Sequence, residues 1–398
     1  MRVVALGDVG VVDDMMHIGD EAMFRAARDE LAARGAGLVA VSSAPSETAE
    51  RYGVEAVPRI RFDGLDRESS EARRDAVLAL AEGRDALAPD DSARAVVDAV
   101  ARADGVLIAG GGNLASTWPL HVYERATLAG VAERLGKPVV VSGQTLGPDL
   151  RGRDRELVAE LLDRAALAGV REATSQRLAA DLGITARLGV DDASFVGLPL
   201  GAAAPVEEHR SAGEGVLVSL SLSLGRASRP ETVARIAALV DMAADLVGGP
   251  VRFHAHFGPL TGADPRGDAV LHDEVRARLR TPSSVVPTGD VPAAASLARS
   301  TALLITGRYH PAVFAAPAGV PVLGLVTDDY TAVKQRGALA HWGQDTTVPI
   351  SEADTAGIPR LRALWSGRGE VAAEARERFP GHRADADAWW DAVAAVFR

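Results

Sequence analysis

The sequence predicts an α/β protein of two domains, each built on a parallel sheet. Short unbroken apolar runs recur along the chain, Ala-rich segments with helical spacing alternate with them, and the alternation lapses after residue 196 and restarts at Val216. Apolar runs without polar alternation mark strands covered on both faces, and strand–helix alternation is the pattern of parallel sheets. At 398 residues the chain is also too long for one typical core.

In the first half the predicted strands are RVVAL (2–6), GLVAVS (37–42), GVLIA (105–109), PVVVS (138–142) and AGVR (168–171), with helices over 20–35, 92–103 and 174–183. A passage rich in Pro, Gly, Ala and Glu over 197–214 reads as a linker. The second half gives VLVSLSL (216–222), a helix over 230–247, VRFHAHF (251–257), a helix over 266–280, SSVV (283–286), a helix over 292–299, ALLI (302–305) and PVLGLV (321–326). The tail has helical spacing and carries Trp389, Trp390, Val393 and Phe397 as a packing stripe. The expected organisation is two Rossmann-like domains, 1–200 and 213–368, facing across a cleft, with 369–398 strapping back to the first.

A net charge of −11 and a pI near 5.4 argue against nucleic acid and anionic membrane as partners. The absence of cysteine excludes disulfides, thiolate metal sites and Cys nucleophiles. MRVVALGDVG reads as a first strand rather than a signal peptide, and no apolar stretch approaches the roughly 20 residues of a membrane span. The expected location is cytoplasmic.

Ligands of parallel sheets bind beyond the carboxyl ends of the strands, so polar residues at those junctions are the candidate site. In TGRYHPAVFAAPAGVPVLGL (306–325) a buried strand meets Arg308, Tyr309 and His310, and Pro311 suits the first turn of a following helix. That is where a phosphate or carboxylate would sit; a capped surface turn is the bland alternative. HIGDEA (17–22) looks like a turn into a helix with Asp20 and Glu21 in its first turn, where capping competes with ligand binding. AGGGNL (109–114) offers Gly110, Gly111 and Gly112 for close backbone approach to a ligand, and Asn113 as donor or acceptor. It lacks the Lys-Ser/Thr of a phosphate loop and the spacing of a dinucleotide fingerprint, so ATP and NAD are unsupported. SGQTLGP (142–148) reads as a loop presenting Gln144, and VREATSQRLAADLG (170–183) puts Arg171 after a strand, with Thr174 and Ser175 as caps and a structural salt bridge as the alternative for Arg171. His254 and His256 share a strand face without an evident third ligand, so no metal site is assigned to them or to Asp191 and Asp192. Lys334 could reach an anion.

Taken in order, GDEA, GGGNL, SGQTLGP, VREATSQRLAADLG, DDASF, TGRYHPAVFAAPAGVPVLGL and DDYTAVK resemble the polysaccharide pyruvyl transferases. The resemblance implies a fold of the glycosyltransferase B type and transfer of pyruvate from phosphoenolpyruvate to a sugar hydroxyl pair as a cyclic ketal, with no further cofactor. It places Arg171, Arg308 and His310 at the phosphoenolpyruvate, with Lys334 nearby. The first loop, GDVGVVDDMMHIGDEA, is longer than the usual Gly/Asn-rich turn, which bears on the acceptor. Two guanidinium forks suit a phosphate and a carboxylate, and a histidine suits the proton transfers. Asp20 and Glu21 are candidates to bind or deprotonate the acceptor. The competing readings are a nucleotide-sugar glycosyltransferase, a pyruvyl-transferase-like enzyme with a non-polysaccharide acceptor, a sugar epimerase, and a cleft that binds without turnover.

Overall fold

The computed structural model describes residues 1–85, 87–202, 204, 215–261 and 265–398. Most of the expected linker, at 203 and 205–214, lies outside the described residues. The chain divides into two compact units: Met1–Val12, Met23–Asp192 and Asp385–Arg398 form one, and Asp13–Ala22 with Ala193–Ala384 the other. These bounds differ from 1–200, 213–368 and 369–398 in that residues 13–22, 193–200 and 369–384 fall in the second unit.

The sheet of the first unit has the order Glu55–Pro58, Gly37–Ser42, Arg2–Leu6, Gly105–Ile108, Val139–Leu146, Ala165–Val170, Arg187–Leu188, all parallel. Its central strands Arg2–Leu6 and Gly105–Ile108 are mostly apolar because both faces are covered. Val4 and Leu6 pack with Val96, Val122 and Leu161 on one side. Val3 and Ala5 alternate to the other side, against Phe24, Trp389, Trp390, Val393 and Phe397. The tail stripe is thus core of the first unit, carried by the end of helix Arg368–Val396.

Two junctions expected to be loops are strand. Val139–Leu146 runs through SGQTL, and Gly111–Leu114 forms a short strand beside it, pairing Gly111 with Gln144 and Leu114 with Leu146. The ladder past Val141 satisfies backbone groups that a loop would have left to water. Strand Glu55–Pro58, a short EAVP between turns, and helices Pro45–Tyr52 and Arg67–Ala81, which are polar on more than half their positions, stand apart from the elements the sequence predicts.

In the second unit the order is Ser283–Val286, Val251–His254, Val216–Ser219, Leu303–Thr306, Val322–Val326, Thr347–Pro349, again parallel. Helix Arg229–Val247 covers one face with Ile236 and Val240. A separate antiparallel pair joins Met15–His17 to Phe257–Pro259. Among the described residues no helix is long and apolar enough to cross a membrane.

Candidate active site

In the second unit, strand Leu303–Thr306 ends at Gly307 and Arg308, and Arg308 caps a helix of seven residues, Tyr309–Ala315. The helix is shorter than the motif promises; a 3-10 turn Ala316–Ala318 and left-handed Gly319 end it. Arg308 is fixed at both backbone ends: its N–H donates to Thr306 Oγ1 at 3.0 Å, and its carbonyl accepts from Gln335 Nε2 at 2.8 Å. Its side chain is fixed by Asp268, a fully buried carboxylate that accepts from Arg308 Nε at 2.8 Å and Nη2 at 2.5 Å. Asp268 also accepts from the backbone N–H groups of His256 and Phe257, at 3.2 and 2.9 Å. One edge of the guanidinium fork is therefore used internally, a partner the sequence pattern did not reveal. The remaining nitrogen, Nη1, is directed at His17 Nε2, 3.4 Å away.

Around this arginine stand four more histidines. His310 and His256 both pack near Phe314, with ring centroids at 6.1 and 6.0 Å, and His254 lies 5.0 Å from His256. His256 is buried, and both its ring nitrogens lack a hydrogen-bond partner among the described residues. An imidazole buried with neither nitrogen satisfied is costly unless something else occupies the place. His272, one helical turn beyond Asp268, accepts from Leu220 N–H at 2.9 Å.

Burial holds three of these imidazoles, those of His254, His256 and His272, neutral. It pulls His254 down to about 4, helped by His272, and His272 down to about 4, helped by Arg308. Burial also holds His256 well below the ordinary range, reinforced by His254, His310, Arg308 and His17. Unfolded histidines take up protons near 6.5, so between that pH and about 4 the unfolded chain binds more protons and stability falls as the pH drops. Asp192 opposes this: burial, then Asp191, raises it from 3.8 to about 7, so the folded state protonates it first. Three imidazoles against one carboxyl leave a net loss, about 1.4 kcal/mol per pH unit for each unmatched proton. The urea midpoint should drop clearly between pH 7 and pH 5; an equal or higher midpoint at pH 5 would contradict these assignments.

Tyr309 is buried. Lys334 Nζ lies 5.0 Å from its ring, 4.6 Å from the Tyr330 ring, and donates to the Tyr330 hydroxyl at 3.2 Å. The lysine thus flanks the Arg308 junction on helix Asp329–Ala340.

Asp20 and Glu21 fall in the first turn of helix Ile18–Ala32, as expected. Their segment, however, belongs with Arg308 and His310 rather than with the expected first domain. Glu21 is buried, and Asp20 Oδ2 stands 3.1 Å from His17 Nδ1. Gly19 lies directly against His310: a Cβ added there would come within 2.0 Å of its Nδ1.

The remaining predicted residues are in the first unit. Arg171 is buried in an ion pair, its Nη1 donating to Asp191 Oδ2 at 2.5 Å and its Nε to Thr145 Oγ1 at 2.9 Å and Glu172 Oε1 at 3.2 Å. Ser175 donates to Glu172 Oε2 at 2.8 Å, and the helix Ala173–Asp181 has no side-chain cap, so the capping role expected for Thr174 and Ser175 is not realised. Gln144 is a buried strand residue whose Nε2 donates to Ala109 O at 2.5 Å, not a loop side chain. The room left by Gly110 is taken by Met23 and Asp192, 3.0 and 3.2 Å from where a Cβ would be, and Gly111 backs onto Gln144. Gly112 continues the same short strand. Asn113 donates to Asp8, which is also bound by Arg125 Nη2 at 2.6 Å and lies 3.1 Å from His121 Nδ1. Burial alone would raise the Asp8 carboxyl, but Arg125, His121 and Arg59 outweigh it and hold it well below the usual range. This cluster had no local motif to announce it. Among the described residues no three His, Asp or Glu side chains form a group that could hold a metal.

Two α/β units with strand-end polar clusters define a glycosyltransferase B type of fold, and solved structures agree. The chain aligns with the UDP-N-acetylglucosamine 2-epimerase of Neisseria meningitidis over 96% of its own length and 98% of that chain, at 10% identity and TM-score 0.56. The same score relates it to Arabidopsis thaliana UGT89C1 complexed with quercetin, at 12% identity over 100% and 99% of the two chains. It also relates it to a UDP complex of MnaA from S. aureus, at 11% identity over 95% and 94%. No curated protein matches in sequence. The chain belongs to the polysaccharide pyruvyl transferase family, whose model it matches over residues 17–329.

Proposed function

We propose that the chain moves the pyruvyl group of phosphoenolpyruvate onto two hydroxyls of a sugar, forming a cyclic ketal and releasing phosphate, in the assembly of a cell-surface polysaccharide or glycoconjugate. The reaction is taken to be cytoplasmic and independent of metal or cofactor. The observation that carries this reading is the second-unit cluster. A rigidly held Arg308 stands with His310 and with a buried His256 that has two unsatisfied nitrogens. A charged arginine and neutral imidazoles together can receive a multiply charged, hydrogen-bonding anion, and anion binding offsets the burial that keeps the imidazoles neutral.

In the reaction, C3 of the enol gains a proton, C2 gains two acceptor oxygens, and the bond from C2 to the phosphate oxygen breaks. In this reading His310 protonates C3 and Arg308 offsets charge on the departing phosphate. Lys334 and Tyr309 flank the anion. The family resemblance also proposes Arg171 as a cation for phosphoenolpyruvate, and Asn113 and Gln144 are proposed to act through the strand ends they stabilise.

The test is a thermal-shift panel of phosphoenolpyruvate beside UDP, GDP and their sugars, run with EDTA present. Phosphoenolpyruvate at 100 times its Kd should stabilise the protein by about 2.7 kcal/mol. Stabilisation by a nucleotide alone would favour a nucleotide-sugar enzyme. Arg308→Lys should weaken phosphoenolpyruvate binding about tenfold or more, because an ammonium cannot satisfy Asp268 and reach an anion together; binding equal to wild type would remove Arg308 from the site.

A further inference from the structure

The N-terminal segment that packs with the second unit, residues 13–22, brings a histidine to this cluster. Met15–His17 pairs with Phe257–Pro259, placing His17 opposite Phe257, and Ile18 N–H donates to His256 O at 2.9 Å. The preceding turn is pinned as well: Asp14, at φ 66°, accepts from Thr261 N and Oγ1, both at 2.9 Å. The His17 ring leans on Phe257, centroids 5.5 Å apart.

The two ring nitrogens of His17 face opposite charges. Asp20 Oδ2 lies 3.1 Å from Nδ1, and Arg308 Nη1 lies 3.4 Å from Nε2. A carboxylate beside Nδ1 favours the proton there, and a cation beside Nε2 favours the lone pair there. The basic nitrogen is thereby aimed at the guanidinium that holds the anion. Accessibility separates His17 from its neighbours: its side chain is 40% exposed, while His254, His256 and His272 are buried. An acceptor arriving from solvent meets the open imidazole first.

We propose that His17 is a second catalytic residue of this site, the base for the acceptor, with Asp20 as its positioning partner. The assignment rests on the pyruvyl-transfer reading. In the first half-reaction the acceptor hydroxyl adds to C2, its proton passes to His17 Nε2, and His310 delivers its proton to C3. The product is a tetrahedral C2 bearing methyl, carboxylate, phosphate and one acceptor oxygen. In the second, the neighbouring hydroxyl displaces phosphate from C2, its proton returns to His310, and protonated His17 gives its proton to the departing phosphate. Two hydroxyl protons are lost, one appears on the methyl and one on phosphate, and both histidines return to their starting states.

The experiment is phosphate release from phosphoenolpyruvate with a working diol acceptor across pH 5–9, with direct phosphoenolpyruvate binding, for wild type, His17→Gln and Asp20→Asn. His17→Gln should lower kcat about 10²- to 10³-fold, leave the Kd for phosphoenolpyruvate within about threefold, and lose the acidic limb of the rate profile. Asp20→Asn should keep that limb but move it to lower pH, because the carboxylate that favours the protonated ring is gone. The groups facing the ring are the Asp20 carboxylate on its own helix, the Arg308 guanidinium on the strand-end turn, and the neutral imidazole of His256; only the first changes in that variant. His17→Gln with wild-type kcat, or with its whole defect in phosphoenolpyruvate affinity, would overturn the assignment alone. Wild-type protein that releases no phosphate with any diol would overturn the pyruvyl-transfer reading and this assignment with it.

Discussion

Turnover should fall about 10²- to 10⁴-fold both when His310 becomes Gln and when Gly19 becomes Ala. The first substitution removes a proton carrier and keeps a similar volume, so phosphoenolpyruvate binding should survive. The second is a steric argument. A methyl group at position 19 would lie 2.0 Å from His310 Nδ1, 2.6 Å from Cε1 and 2.8 Å from Cγ, and real Cβ contacts that short do not occur. His310 has little room to retreat, being buried against Tyr309 and Phe314 at centroid distances of 5.0 and 6.1 Å. Either the imidazole turns away or the segment carrying His17 lifts, and both outcomes undo the site. Position 19 is helical, so alanine there favours the backbone by about 0.5–1 kcal/mol, which offsets part of an overpacking cost of roughly 1–3 kcal/mol. A loss of activity far larger than the modest loss of thermal stability is therefore the expected signature of Gly19→Ala. A variant with wild-type kcat would show that His310 is not where the chemistry happens.

The fold was legible wherever burial on both faces left a continuous apolar run. GLVAVS has the bounds the sequence predicts, and in RVVAL each apolar residue faces one core or the other. Residues carrying turn chemistry misled: Ser142, Gly143 and Gln144 look like a loop, yet their backbone groups are taken up by a strand beside them. The site was legible in part for the same reason. Arg308 and His310 stand at a strand end that the sequence marks, and Lys334 follows on the next helix. Asp268 is a lone acid at a helix start, and nothing local says that it holds an arginine forty residues away. His17 sat inside a motif noticed for its carboxylates. Its partner across the ladder is Phe257, 240 residues on, and only the folded backbone states that pairing.

Arg171 poses the sharpest remaining choice between a ligand-binding cation and a structural one, and Arg171→Met is expected to resolve it by destabilising the protein by about 3–5 kcal/mol. Arg171, Asp191 and Glu172 are all buried, and the guanidinium is the cation that both carboxylates contact. Glu172 has Thr145 and Ser175 as hydroxyl donors, at 2.5 and 2.8 Å, but neutral donors do not balance a buried charge. Methionine fills much of the space of arginine, so packing loss is small and the penalty reads the loss of the guanidinium from beside the two carboxylates. Those carboxylates would then bind protons more readily in the folded state than in the unfolded one. The stability difference from wild type should be largest near pH 8 and shrink as the pH falls toward 5. Urea unfolding at both pH values measures it, and phosphoenolpyruvate binding at permissive denaturant-free conditions gives the second axis. A large, pH-dependent loss of stability with phosphoenolpyruvate affinity retained makes Arg171 the keystone of an ion-pair network. Wild-type stability with affinity lost would reverse that, because a buried guanidinium that can be deleted at no cost to folding must have been kept for what it binds.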